Sequence, residues 1–396
     1  MDAEEARTIG RRVRQVRYAR RKSLRVIAGL AGMSTTMLHR IEAGQRALDS
    51  RSETVALANA LEVAPTDLVS LPVPAPADGE ADSAAEEVRL ALMGVNHRHP
   101  DGEVLTLDAL REQVGALADA GNEGDQELIG RELPALIRNT HTSVTDGRDV
   151  AELLDVVVAL HTQVTIGWLR TAGVSIDLRE QAALLARNAA EERGTLTVMG
   201  LAAGAAVRVM LSTGAFDLAQ AELDSVTMPT NTPESTQLAG MLALFRSLVA
   251  ASDGRQGDVE APLEYATELA QRTGQGNAYW MGFGPTNVGL WRMAAALEVK
   301  DYDRAVAVAE GLNPREHPSH ERQATYWMDY GRALARLNGR HEDAVRAFRT
   351  AERLFPMRVL RNPFVREVLA ELLTRSRRDA VGRELRGMAY RAGLPV

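Results

Sequence analysis

The sequence predicts an all-α chain: a small five-helix module, a short linker, and a superhelix of stacked helix pairs. Three observations carry this. From about Ser83 onward the chain reads as helical segments broken by Gly, Pro, Asn and Asp, with no persistent β-alternation. Aromatics make up only 4% of 396 residues, while alanine and leucine are plentiful. Four breaks look alike: Gly214-Ala-Phe216-Asp, Gly257-Asp-Val259-Glu, Lys300-Asp-Tyr302-Asp and Gly339-Arg-His341-Glu, with third residues 43, 43 and 39 positions apart. A recurring period of that size is how stacked helix pairs read.

The first helix is expected from about Ala6 to Arg21, with Ile9, Val13 and Val16 as its apolar stripe. Ser23 to Gly44 then parses as two short capped helices around a glycine turn. Ser23 and Ser34 are the N-caps, Gly32 supplies the turn, and Gly44 stands where a C′ glycine belongs. That is a helix-turn-helix pattern. On the second helix, from about Thr35 to Ala43, Leu38 and Ile41 share one face while Thr35, Thr36, His39 and Arg40 fall on another. One face packs and the other is free to read base edges, with Arg40 suited to guanine. The same spacing also fits a small helical hairpin with no nucleic-acid role. Ser50-x-x-Glu53 reads as a capping box opening a fourth helix through Leu61, and Pro65, Leu68 and Leu71 mark a short fifth.

The segment from about Ile9 to Leu71 resembles the Cro/C1-type (XRE) helix-turn-helix family. The resemblance rests on Ser23-Leu-Arg-Val-Ile-Ala, on Gly32-Met-Ser-Thr-Thr-Met-Leu-His-Arg-Ile-Glu-Ala-Gly, and on Thr54-Val-Ala-Leu-Ala-Asn-Ala-Leu. It implies a lambda-repressor-like domain whose base contacts come mainly from Thr35, Thr36 and Arg40. Ser34, His39, Arg25, Gln45 and Arg46 complete the expected DNA-binding set, the last two on a loop placed to touch phosphate. Where the family often carries Gln after the first cap, this chain has Leu24, so Arg25 or backbone amides would take that phosphate.

Charge is divided unevenly along the chain. Residues 1–50 hold 11 Lys/Arg and 5 Asp/Glu, a net of +6, and the remainder carries −13. A basic end suits a polyanion, and Arg11, Arg12, Arg14, Arg17, Arg20, Arg21 and Lys22 are candidates for phosphate or for a solvated face. The absence of cysteine removes disulfides and thiolate metal sites and fits a reducing cytoplasm. The acidic start is not expected to be a signal peptide, and the apolar run Thr195–Val207 stops at Arg208, short of the roughly 18 residues a span needs. The expectation is a cytoplasmic chain with no membrane contact.

The Pro-, Ala- and acid-rich stretch after Leu71 reads as a linker. The expected domains are 1–71, a linker at 72–85, and a repeat body over 86–396. Tyr302-Asp-Arg-Ala-Val-Ala-Val-Ala and His341-Glu-Asp-Ala-Val-Arg-Ala-Phe resemble the second helix of the tetratricopeptide repeat, although their spacing exceeds that repeat's period of about 34.

No constellation for catalysis is evident: there is no Walker loop, no nucleophile elbow and no His-Glu-x-x-His. His317, His320 and Glu321 have metal-like spacing without a further ligand, so no metal and no cofactor is expected. One stretch of the body stands out, Tyr279-Trp280-Met-Gly-Phe283-Gly-Pro-Thr286-Asn287-Val-Gly-Leu-Trp291, where two Trp and an irregular joint precede a helix. Tyr279, Trp280, Phe283, Asn287 and Trp291 are candidates for a ligand pocket; an aromatic core plug with a helix cap is the competing reading. These features together lead to an expected non-enzymatic, sequence-specific regulator that binds a roughly palindromic double-stranded DNA site as a homodimer. Its repeats would sense a peptide or small molecule, or alternatively serve as a protein-interaction scaffold with a DNA-tethering head.

Overall fold

A computed structural model describes residues 8–69, 79–376 and 379–394, and among them the chain is helical with no strand. The head comprises α1 (Ile9–Ala19), α2 (Leu24–Leu30), α3 (Thr35–Glu42), α4 (Arg51–Leu61) and α5 (Pro65–Val69). Its caps follow the sequence reading in two places: Ser23 Oγ accepts from Val26 N–H at 3.3 Å and Ser34 Oγ from Met37 N–H at 3.1 Å. Gly32 and Gly44 hold φ of +66° and +69°, the left-handed turns that close α2 and α3. The expected capping box at Ser50 does not form. Glu53 turns instead to Lys300 Nζ at 2.6 Å and Arg46 at 3.4 Å, and Ser50 bonds Ser52.

The body opens with α6 (Gly79–Asn96), α7 (Leu107–Glu123) and α8 (Gln126–Thr145). Helix α9 (Val150–Ala159) continues through a π turn over Leu160–Thr165 into α10 (Ile166–Thr171), with α11 (Ile176–Arg193) packed back on it. Hairpin pairs follow: α12 (Leu196–Thr213) with α13 (Phe216–Asp224), and α14 (Pro233–Ser252) with α15 (Glu260–Thr273). Next come α16 (Pro285–Glu298) with α17 (Tyr302–Glu310), and α18 (His320–Arg336) with α19 (His341–Leu354). Short α20 (Pro356–Leu360) leads to the last pair, α21 (Pro363–Thr374) and α22 (Ala380–Arg391). The four recurring breaks fall where α13, α15, α17 and α19 begin, and Ala219, Ala305 and Ala344 are fully buried where paired helices approach.

First helices of successive pairs stack, α12 on α14, α14 on α16, and α16 on α18. Small residues permit that stacking: a Cβ at Gly200 would lie 2.8 Å from Met228 Sδ, and one at Gly204 3.2 Å from Phe245. The superhelix curls far enough for α18 to meet α7, so the stacked inner helices surround a central space.

Two expectations need correction. The sequence suggests a linker at 72–85, yet residues 79–85 belong to α6, whose Val88 and Leu92 are buried in the body; residues 72–78 lie outside the described residues. Acidic and small residues there form a helix because its later turns have a core to pack on. Two segments are also long and apolar enough to cross a membrane by length and composition, Val150–Thr171 and Leu196–Thr213. Both lie mostly buried in the body, where helices that are apolar all round serve as core.

The head is seated on the body through the loop after α3 and through α4. Arg336 bridges Asp49 and Glu371, each at 2.5 Å, and Glu371 also accepts from Ala47 N–H at 2.8 Å. Glu298 accepts from Arg51 N–H at 3.0 Å, and Glu367 from Ile9 N–H at 2.5 Å. Val55 packs on the body, and Phe364 of α21 packs into the head.

Candidate nucleic-acid interface and ligand cavity

Helix α3 divides as its spacing dictates. Leu38 and Ile41 are fully buried, while Ser34, Thr35, Thr36, His39 and Arg40 are exposed. Glu42, next to the packing face, is buried and clamped to α1 by Arg17 through two bonds of 2.6 and 2.7 Å. Arg17 therefore braces α3 against α1; its bond to Glu42 raises its pKa, against the opposing effect of burial. The sequence carried a partial signal, since Glu42 stood in the motif, but its partner lies 25 residues away.

The remaining basic residues sort by partner. Arg12 and Arg20 donate to carbonyls of Asp67 and Glu62 at 3.1 and 2.9 Å, which ties them to their own domain. Arg11, Arg14, Arg21, Lys22 and Arg25 are exposed around α1 and α2. Leu24 is half-buried against the head core, so it packs where the family's Gln would reach outward. In the loop after α3, Gln45 is exposed, whereas Arg46 is half-buried beside Glu53, Ala47 and Asp49 are buried on the body, and Leu48 is buried in the head core. The loop is thus shared between the expected phosphate contact and the seating of the head.

A cavity of about 1030 Å³ fills the space inside the superhelix. Its wall includes Trp168, Trp280, Asn287 and Trp291 from the body, and Arg51, Thr54, Val55, Pro65, Thr66 and Asp67 from α4 and α5 of the head. Of the five ligand candidates, Trp280, Asn287 and Trp291 line it and Tyr279 and Phe283 do not. Phe283 is fully buried against Gly240, where a Cβ would have no room, so it is the core plug of the competing reading. Tyr279 packs on the body core.

Tyr279 and Trp280 both have φ of +55°, an uncommon conformation for aromatic residues. Gln237 and Asn277 hold the joint by accepting from Ala278 N–H and Gly282 N–H, each at 3.0 Å. Trp280 Nε1 donates to Asp119 at 2.8 Å across to α7. Asn287 Oδ1 accepts from Arg322 Nη2 at 2.8 Å, and the Arg322 guanidinium lies 5.4 Å from the Trp291 ring. Asn287 therefore positions an arginine.

That arginine belongs to a cluster missed in the sequence. Arg170, Arg179, Arg208, Arg322 and Arg358 line the cavity together with Glu321. Glu321 pairs with Arg170 and lies 3.4 Å from Arg358. Burial opposes its ionisation, yet Arg170, Arg358 and Arg322 hold the carboxyl at about 2. Burial, and then repulsion from Arg170, pulls Arg208 and Arg179 down to about 10 and Arg358 to about 9. These residues span 170 to 358, so no local pattern links them. The one legible trace was Arg208, the single charge in the otherwise uncharged Leu196–Thr213.

The metal-like trio does not converge. His317 is buried with Nδ1 accepting from Ser319 N–H at 3.1 Å, His320 lies beside the Glu123 carbonyl, and Glu321 faces the arginines. Burial, with Arg322 adding, holds His317 neutral, its pKa down to about 3. No group of three or more potential metal ligands occurs among the described residues.

The head defines its class at this point: residues 8–71 match a family model described as a helix-turn-helix domain, so the chain carries a helix-turn-helix DNA-binding domain, and the polar face of its α3 is exposed. No curated protein and no solved structure matches the chain.

Proposed function

We propose that this chain is a sequence-specific transcriptional regulator of the Cro/C1 type, in which a tetratricopeptide-like body governs DNA binding by the head. The observation that carries this reading is a division of labour within the head. Its α3 face points to solvent, while its α4 and α5 form part of the wall of the internal cavity. A ligand that favours one seating of α4 and α5 would bias the orientation of α3, which is the differential contact that coupling requires. A single eight-residue recognition helix reads few base pairs, which supports a homodimer presenting two heads about one DNA turn apart.

Selection from random duplexes by the purified protein tests the reading. Enrichment of one motif with two related halves is expected, and recovery of duplexes without sequence preference would reject it. Mass photometry of the selected complex should give two chains per duplex, and a single chain would reject the dimer.

A further inference from the structure

We propose that the internal cavity is a binding site for a phosphorylated small molecule carrying a planar apolar portion, held by Arg170, Arg179, Arg208, Arg322 and Arg358 with Trp280 and Trp291. The assignment deepens the regulatory reading by naming the class of effector, and it rests on that reading only for its consequence at DNA.

The argument begins with charge. Nine arginines and six carboxylates line the cavity. Glu86, Glu298 and Asp329 are each paired outside the inner cluster, with Arg89, Arg51 and Arg332. Among the described residues Glu321 is the one carboxylate in ion-pair contact with the five inner guanidiniums, pairing with Arg170 and Arg358, while Asp329 adds a longer-range attraction to Arg322 and Arg358. Among the described residues the Arg208 side chain hydrogen-bonds only a carbonyl, Thr162 O at 2.6 Å, and the Arg322 side chain only Asn287, with its guanidinium over the Trp291 ring. Arg179 makes no hydrogen bond or ion pair with any described residue. Buried Nε–H donors of Arg179, Arg208 and Arg322 are left without acceptors, and Arg358 Nε stands 3.4 Å from Glu321 without hydrogen-bond geometry. Concentrating like charges in a recess with donors unspent is costly, and an anion that accepts from them removes both costs.

Geometry then selects the anion. A single planar carboxylate offers one negative charge in one plane, whereas guanidiniums reach this space from α10, α11, α12, α18 and α20. A phosphate or diphosphate carries more charge in a compact group with oxygens on all sides, and arginine meets such oxygens bidentately. Beside the cationic wall lie the Trp280 and Trp291 rings, and Trp291 Nε1 is a buried donor without a partner. The volume suits a molecule larger than phosphate alone.

Calorimetric and tryptophan-fluorescence titrations of the full chain, without DNA, test the assignment with pyrophosphate, ADP and citrate as probes. ADP is expected to bind more tightly than pyrophosphate, and both more tightly than citrate. Arg208→Gln and Arg358→Gln should each weaken ADP by about tenfold or more, the scale of one charge-assisted hydrogen bond. Arg131→Gln, on the exposed face of α8, should leave binding unchanged. Without ligand, Arg208→Gln and Arg358→Gln should melt no lower than wild type, because each relieves repulsion, while losing the rise in Tm that ADP produces.

Absence of saturable binding by either phosphate compound overturns the assignment, as does ADP affinity indifferent to both arginine variants, or a large drop in Tm without ligand. Citrate binding as tightly as ADP overturns the phosphate class, and ADP no tighter than pyrophosphate overturns the planar portion. ADP binding with selected-DNA affinity unchanged would refute control of the head and leave the site standing. Control by a neutral compound with no anion bound would do the reverse.

Discussion

At the scale of single residues, the pair Arg17 and Glu42 decides whether α3 stays in place. Both side chains are at most one-tenth exposed and joined by two charge-assisted bonds, so removing one partner strands a buried charge. Arg17→Ala should destabilise the head by about 3–5 kcal/mol, as for other buried pairs broken from one side. Hydrogen exchange of α1 and α3 amides in the full chain reads this directly; unchanged protection would mean that the clamp contributes nothing. Glu367 acts where Ile9 meets the body. Burial raises its carboxyl to about 7, against the backbone N–H groups of Ile9, Leu48 and Gly10, which favour the charged form. A pKa above the ordinary 4.5 means that the seated head binds a proton the free carboxyl has lost. Its contribution is complete below about 4.5 and declines as pH rises through about 7. Protection of α1 amides should therefore fall between pH 6 and 8 in wild type and change less in Glu367→Gln; equal pH dependence in both would remove Glu367 as the cause.

At the scale of elements, α3 was legible in advance because every determinant of it is local. Ser34 caps it, Leu38 and Ile41 recur at helical spacing, and Gly44 ends it, so its two faces could be assigned before any fold was known. Ser34→Ala should lower head stability by about 1 kcal/mol through loss of one cap bond. Urea unfolding followed by circular dichroism checks this, and an unchanged midpoint would mean that Ser34 Oγ is not needed to start the helix. The body's helix pairs were legible for the same reason, since each break repeats a short local pattern. The capping box that the sequence suggests at Ser50 does not form because Glu53 answers to Lys300, 247 residues away. The aromatic joint was read in part: Trp280, Asn287 and Trp291 reach the cavity, but periodicity cannot distinguish Phe283 filling a gap left by Gly240 from an aromatic facing a ligand.

At the scale of the whole molecule, what escaped the sequence is what long-range closure creates. Curling of the superhelix brings α18 to α7 and gathers arginines from five helices into the wall of one cavity. The head closes the arrangement, with Asp49 held by Arg336 and Arg51 by Glu298, so the basic segment and the acidic body meet through specific pairs. Arg336→Ala leaves Asp49 and Glu371 buried without their shared cation, and release of the head is the expected result. Hydrogen exchange should rise in residues 45–50 and along α4 while the inner helices α12 to α16 keep their protection. A uniform rise across the body would show that Arg336 supports the entire fold instead.

The exposed face of α3 is where these scales converge on function, and Arg40 is its most informative residue. The decisive measurement is the affinity of wild type and Arg40→Ala for a selected duplex and for a scrambled duplex of equal length, at several salt concentrations. Loss of one base contact should cost about 1–3 kcal/mol on the selected duplex, with nearly equal affinities on the scrambled one. An equal loss on both duplexes, or none on either, would contradict base reading by α3.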